Sequence, residues 1–137
     1  MDQAGLKIVQ KFVACINAHD VDAIVKMMSP KFQFIDSLGG CSSFKQMHAG
    51  WRQYFTMVPD YWIAVEREVA DGKEAILIGR AGGTYAPAGA GLKAENKWET
   101  PAVWRAKVSG QELTEWRIYA DNEPIRQKMR AASGPER

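Results

Sequence analysis

From Gln3 to Ala18 the apolar residues Leu6, Val9, Val13 and Ile16 recur at helical spacing, and Ile8, Phe12 and Cys15 widen the stripe. This predicts an amphipathic helix with a broad buried face. His19-Asp20 breaks the pattern. The Asp20 carboxylate can cap a second helix by accepting bonds from the free N–H groups of its first turn. Ile24, Val25 and Met28 supply the buried side of that short helix. Ser29-Pro30 should end it, because the residue before a proline avoids helical geometry. Phe32 to Asp36 then alternates briefly as a strand, and Ser37-Leu38-Gly39-Gly40 reads as a loop. Ser43 followed by Gln46 is a capping-box pattern. It opens a third helix with Met47, Trp51, Tyr54, Phe55 and Val58 on one side, stopped at Pro59.

Beyond Pro59 the period shortens to two. Tyr61, Ile63, Val65 and Val69 alternate with Trp62, Ala64, Glu66 and Glu68, as in a half-buried strand. Asp71-Gly72 is a two-residue hairpin signal. The return strand runs from Ala75 to Tyr85, followed by a flexible turn over Ala86 to Gly91. Glu95 to Val108 and Gln111 to Tyr119 form two more strands, joined at Ser109-Gly110. Pro101 implies an edge position or a bulge, since proline cannot donate to a ladder. Gly79, Gly82 and Gly83 mark a bend or bulge in their strand. Asp121 should cap a last helix, Glu123 to Met129, ahead of a frayed tail that starts at about residue 131. Helices come first and a meander of strands follows, which argues an α+β fold over residues 1–137 as one domain. Three helices cover one sheet face only if the sheet curves strongly, and such a sheet leaves a cavity at its open end. The alternation sends Trp98, Thr100, Ala102 and Trp104 inward with Trp116, Ile118 and Ala120, and sends Glu115, Arg117 and Tyr119 outward.

With 137 residues and 46% hydrophobic content, the chain can bury a core without metals or disulfides. Its net charge of +2 and scattered basic residues give nucleic-acid binding no support. Cys15 and Cys41 have neither CxxC spacing nor a histidine cluster, so no zinc site and two free thiols are expected. No apolar stretch reaches membrane-spanning length and no signal-peptide pattern opens the chain, so a cytoplasmic protein without membrane association is expected. Glu95, Asn96 and Glu99 offer metal oxygens without a ligand geometry, and no phosphate-binding glycine motif precedes a helix. Neither metal nor cofactor is expected.

Several segments taken together resemble the nuclear-transport-factor-2-like superfamily. They are Asp20-Val-Asp-Ala-Ile-Val, Phe32-Gln-Phe-Ile-Asp36, Trp51-Arg-Gln-Tyr-Phe and Trp116-Arg-Ile-Tyr-Ala-Asp121. The superfamily includes ketosteroid isomerases, limonene-epoxide hydrolases and SnoaL-like polyketide cyclases. The resemblance covers about Leu6 to Met129. It implies a cone of helices on a strongly curved antiparallel sheet, a buried small-molecule pocket and a homodimer through the outer sheet face. Asp20 to Gly39 has the spacing of the ketosteroid isomerase segment whose Asp shuttles the proton, which puts Asp36 in the base position. That enzyme's oxyanion donors are a helix Tyr and a protonated strand Asp; Phe12 and Ala102 stand at the matching positions here. The catalytic Asp that epoxide hydrolases and SnoaL-like cyclases carry on the last strand is replaced by Ile118. The hydrolase Arg-X-Asp pair becomes Arg80-Ala-Gly82.

Asp36 is the foremost candidate acid/base, expected at the pocket floor among Phe34, Trp116 and Ile118. Loss of solvent there would favour a carboxyl that holds and releases its proton. His48 lies on the third helix with Trp51 and Phe55 at following turns, where it could relay a proton or bond a carbonyl. Phe12, Phe34, Trp51, Tyr54, Phe55, Trp98, Ala102, Trp116 and Ile118 are the expected walls for a small apolar or aromatic ligand. Tyr54, Tyr61 and Tyr85 could each present a phenol, and Arg80 could hold an anion or stand on the surface. His19 reads as structural. Three functions stay open. The first is cofactor-independent proton transfer (isomerisation, dehydration or cyclisation) on an apolar carbonyl compound. The second is a non-catalytic binding or dimeric interaction module. The third is an epoxide-opening enzyme with its acid moved to Asp121.

Overall fold

The helices begin where the sequence supplies side-chain acceptors. In the computed structural model, which describes residues 1–88 and 90–133, Asp2 Oδ1 accepts the Gly5 N–H at 2.8 Å at the head of α1 (Gln3–Asn17). Asp20 Oδ1 accepts the Ala23 N–H at 3.1 Å for α2 (Val21–Lys26). The Gln46 side chain accepts the Ser43 N–H at 2.8 Å for α3 (Phe44–Met57). Each cap satisfies a donor that the helix itself leaves open. Helix α2 ends earlier than the proline rule predicts. Met27 caps it and Met28 opens β1 (Met28–Ile35), where it pairs with Leu113 and stays buried. Strand pairing at a buried position has overridden the local helical pattern.

A short strand that the alternation does not predict, β2 (Cys41–Ser43), follows the Ser37–Gly40 loop, because Phe34 and Ile35 of β1 pair with Ser42 and Cys41. The remaining strands are β3 (Trp62–Asp71), β4 (Glu74–Thr84), β5 (Lys97–Ser109) and β6 (Glu112–Ala120). They form one six-stranded sheet in the order β2-β1-β6-β5-β4-β3. The sheet departs from the all-antiparallel expectation at β1 and β6, which run parallel. Both hairpin turns sit one residue later than predicted. Asp71 pairs with Glu74 and Ser109 with Glu112, so Gly72 (φ +58°) and Gly110 (φ +62°) are the first central residues. A two-residue turn with positive φ at that position favours glycine there. Pro101 pairs with Arg80 on β4, while pairing with β6 begins only at Ala102, so β6 needs no donor from Pro101.

A bulge between Val65 and Arg67 bends β3, so Val69 points outward to solvent instead of continuing the inward alternation. Across from it Gly79 lies flat against β3; a Cβ there would meet the Ala64 carbonyl oxygen at 1.9 Å. The curved sheet buries the inward faces of β5 and β6 under α1. Phe12 packs on Trp116 with ring centroids 5.0 Å apart, and Trp116 stacks on Trp104 at 6.3 Å. All three are fully buried. On the outward face Glu115 is nearly covered by Arg105, 2.8 Å away, with Lys107 beside it. The hydrogen bond from Arg105 to Glu115 is the main reason its guanidinium is held above its ordinary pKa.

The last helix, α4 (Glu123–Ala132), starts with Asp121 Oδ1 accepting the Glu123 N–H at 2.9 Å. Residues 131 and 132, expected to fray, are helical, and residues 134–137 of the tail lie outside the described residues. So does Gly89 of the expected flexible turn. Among the described residues no helix is long and apolar enough to cross a membrane. The glycine contact gives a direct test. Gly79→Ala is expected to destabilise the protein by more than about 2 kcal/mol in urea unfolding, because two ladder backbones must separate to admit the methyl.

Candidate functional site

The loop after β1 is closed by its own aspartate. Asp36 Oδ1 accepts the N–H groups of Leu38 at 2.9 Å and Gly40 at 2.8 Å, while the Asp36 N–H donates to the Gly40 carbonyl at 2.9 Å. Gly39 takes φ +86°, a region that favours glycine. At Gly40 a Cβ would stand 2.7 Å from Asp36 Oδ2. Asp36 is therefore exposed at the rim and not enclosed among Phe34, Trp116 and Ile118 as the sequence suggested. Its Oδ1 serves the loop. Its Oδ2 carries no hydrogen bond to the described residues.

Beside this loop opens a pocket of about 290 Å³. Phe34 from β1, Met47, Trp51 and Tyr54 from α3, Tyr61 just before β3 and Ile118 from β6 form its apolar walls. Ser37, Ser42 and Asn122 join Asp36 as its polar groups, and Asn122 Nδ2 donates to Ser37 Oγ at 2.7 Å. Perpendicular ring pairs shape the interior: Phe34 against Trp51 at 6.2 Å, and Tyr54 against Tyr61 at 4.9 Å. Burial raises the Tyr54 phenol well above its ordinary pKa; burial, then the neighbouring Tyr54, raises Tyr61 likewise. Both phenols thus stay protonated donors across the working range of pH. Neither has a hydrogen-bond partner among the described residues, and neither is sealed from solvent as the unpaired indole N–H groups are. No Lys, Arg or His is among the described lining residues.

Of the residues expected at the site, Asp36, Phe34, Trp51, Tyr54 and Ile118 converge on this pocket. Phe12, Ala102 and Trp116 lie in the core behind it. Phe55 stacks on His19 at 4.1 Å, one layer back from Trp51. Trp98 faces a separate cleft with Asp60 and Thr84. His48 is exposed on α3 and bonds Asp22 at 2.9 Å, away from the pocket lining. Arg80 pairs with Glu99 at the surface, and Asp121 caps α4 outside the pocket. Among the described residues no group of three or more His, Cys, Asp or Glu side chains is placed to hold a metal ion.

Ser37, Ser42, Met47, Gly50 and Asn122 are lining residues that the sequence reading does not assign to the site. Gly50 had a readable signal. A glycine inside a helix costs about 1 kcal/mol relative to alanine, which asks for a reason. A Cβ there would meet nothing within 4 Å, and Gly50 is among the residues that line the pocket.

A family model described as a SnoaL-like domain matches residues 9–116. No curated protein matches the chain at a significant level. Solved structures share its fold at low identity. A protein assigned as a SnoaL-like polyketide cyclase, from Jannaschia sp. CCS1, is 18% identical with a TM-score of 0.77, covering 98% of this chain and 95% of its own. Another protein so assigned, from Shewanella denitrificans OS-217, is 14% identical with a TM-score of 0.78, covering 95% and 99%. A protein with a ketosteroid isomerase-like fold from Catenulispora acidiphila, solved in complex with trimethylamine, is 14% identical with a TM-score of 0.74, covering 88% and 90%.

The empty space at Gly50 separates stability from binding. Gly50→Ala is expected to raise unfolding stability by about 0.5–1 kcal/mol and to weaken binding of any pocket ligand several-fold. Thermal unfolding and tryptophan-fluorescence titration check the two effects on one variant.

Proposed function

The chain belongs to the SnoaL-like domain family, and from that premise we propose that it is a small-molecule enzyme that moves a proton on a neutral carbonyl compound without a bound cofactor. The observation that carries this reading is the pairing, in one pocket with no cation among its described lining residues, of a carboxylate with two neutral phenols that have no hydrogen-bond partner among the described residues. Asp36 takes the proton through Oδ2, the oxygen its loop leaves free, and returns it at a second carbon or to a leaving hydroxyl. Tyr54 and Tyr61 donate to the carbonyl oxygen as negative charge develops there, the role that preorganised donors play in enolate chemistry. They take the place of the donors missing at Phe12 and Ala102. Phe34, Met47, Trp51 and Ile118 hold the apolar body of the substrate. Isomerisation, dehydration and aldol-type cyclisation all use these steps.

A second reading is a non-catalytic binding module. The Catenulispora relative holds trimethylamine, and four aromatic rings beside one carboxylate suit an ammonium group, because ring faces attract cations. One experiment separates the two. Deuterium exchange next to the carbonyl is followed by NMR for a panel of cyclic enones, with binding of cyclohexenone and tetramethylammonium measured alongside. The enzyme reading expects Asp36→Asn to slow exchange by about a hundredfold or more with enone binding retained. It expects Tyr54→Phe or Tyr61→Phe to slow exchange by about a hundredfold. Absence of exchange in the unmodified protein, together with tetramethylammonium binding that Asp36→Asn abolishes, would establish the module instead.

The reading extends to assembly: a homodimer formed through the outward sheet face. Val69, Ile78 and Tyr119 are exposed there, and Arg117 lies 4.8 Å over the Tyr119 ring. Apolar positions rimmed by charge fit a mixed interface. Ile78→Asp is expected to shift the protein from dimer to monomer in sedimentation velocity with its circular dichroism unchanged. A monomeric unmodified protein at high micromolar concentration would exclude this interface.

A further inference from the structure

A further concave surface shares no lining residue with the pocket. It is a groove of about 550 Å³ between α1, α2 and the β5–β6 turn. Its rim carries Lys7 and Lys11 from α1 and Lys26 from α2. Lys7 and Lys11 stand one helical turn apart, where like charges repel. Nothing on α1 offsets them, since Gln3–Asn17 contains no acidic residue. Some cations of the sheet and last helix are matched: Arg80 with Glu99, Arg105 and Lys107 with Glu74 and Glu115, Arg130 with Glu123. The three groove lysines have no ion pair among the described residues. Asp20, whose charge reaches Cys15 on the groove floor, is committed to the Ala23 N–H as the α2 cap.

The floor beneath the lysines is apolar and half-buried, formed by Ile8, Cys15 and Met27. Cys15 Sγ lies 3.9 Å from Met27 Sδ. Burial, and next the Asp20 charge, raise the Cys15 thiol above its ordinary pKa against the opposing pull of Lys11, so the floor stays uncharged. The far wall at Gly110 has no side chain, and a Cβ there would meet nothing within 4 Å, which leaves that side open. Lysine stems can lie along such a floor while their ammonium groups gather above it. A repulsive cluster of unpaired cations over an apolar trough is complementary to a negative head on an apolar chain.

We propose that this groove binds a free anionic amphiphile, an acyl chain lying on Ile8, Cys15 and Met27 with its carboxylate held by Lys7, Lys11 and Lys26. Head and chain act together. Exposed charge contacts are individually weak, and the chain adds apolar burial that the head alone lacks. A short carboxylate and a neutral alcohol of equal chain length should therefore each bind less well than the long carboxylate.

The test is a titration of the isotope-labelled protein with decanoate, decanol and acetate below micellar concentration, read by amide chemical shifts. Decanoate is expected to shift amides of α1, α2 and the Gly110–Gln111 turn, with at least tenfold higher affinity than decanol or acetate. The combined K7Q/K11Q/K26Q variant is expected to lose at least tenfold in decanoate affinity, with decanol binding and thermal unfolding unchanged. Equal affinity for decanol, an unaffected triple variant, or shifts confined to the Trp51 pocket would each overturn the proposal. Co-sedimentation with phosphatidylglycerol vesicles in the absence of decanoate binding would overturn it in favour of a membrane surface.

Discussion

Where Gly79 passes the Ala64 carbonyl, two backbones meet closely enough that no side chain fits between them. The bulge between Val65 and Arg67 sits at this crossing, and a bulge strengthens the twist of its strand. Two further glycines continue the effect along β4: Gly82 lies under the Trp62 ring and Gly83 against Val58. A strand so stripped of side chains lets neighbouring elements close in on it, and the sheet bends. The concave side then has more room than the helices can fill. Phe12, Trp104 and Trp116 fill the part under α1. The part between α3, β1 and β6 stays hollow and is the pocket.

The position of the two phenols depends on the junction between α1 and α2. His19 adopts φ +56°, rare for a residue with a side chain, and such a conformation persists only when its surroundings fix it. Its ring stacks on Phe55, and its Nε2 lies 2.6 Å from the Tyr61 carbonyl oxygen, which it meets as donor. Asn17, two residues earlier, donates to the Ile63 carbonyl and accepts the Ile63 N–H. Together they clamp the backbone on both sides of Trp62. Tyr61 then presents its ring edge-on to Tyr54, and both residues line the cavity. A structural histidine thus places a chemical group without touching the pocket itself.

Periodicity disclosed most of this architecture. The helix caps at Asp20 and Ser43, the inward column from Trp98 to Trp104 and the helices-then-strands order all follow from local chemistry that the fold does not override. The failures share a cause. Met28, the hairpin glycines and Val69 were misplaced by a residue or a face, because pairing register and bulges are decided between strands and leave little trace within one. At the site, Phe34, Trp51, Tyr54 and Ile118 were legible as large apolar side chains at inward positions. Ser37, Ser42 and Asn122 were not, since a small polar residue in a loop looks alike whether it faces a cavity or water. His48 fails for a different reason, since spacing along a helix does not fix where a long polar side chain turns. Helical spacing places it near Trp51 in sequence, but its side chain turns to Asp22 on the exposed side.

A net charge of +2 hides how the charges are arranged. Among the described residues the pocket lining holds one carboxylate and no cation, and the groove lining holds three cations and no carboxylate. Each concavity is therefore selective by sign. A negative ligand entering the pocket would lose water without gaining a cation and would face Asp36 besides, whereas a carbonyl dipole or an ammonium meets phenols, ring faces and one free carboxylate oxygen. The groove reverses that preference. Charges of opposite sign placed close together cancel in energy as well as in number; these are kept apart, and each retains its attraction for a ligand. The same separation explains why the pocket's donors are phenols. A lysine or arginine there would pair with Asp36 and consume the oxygen that the proposed proton transfer requires.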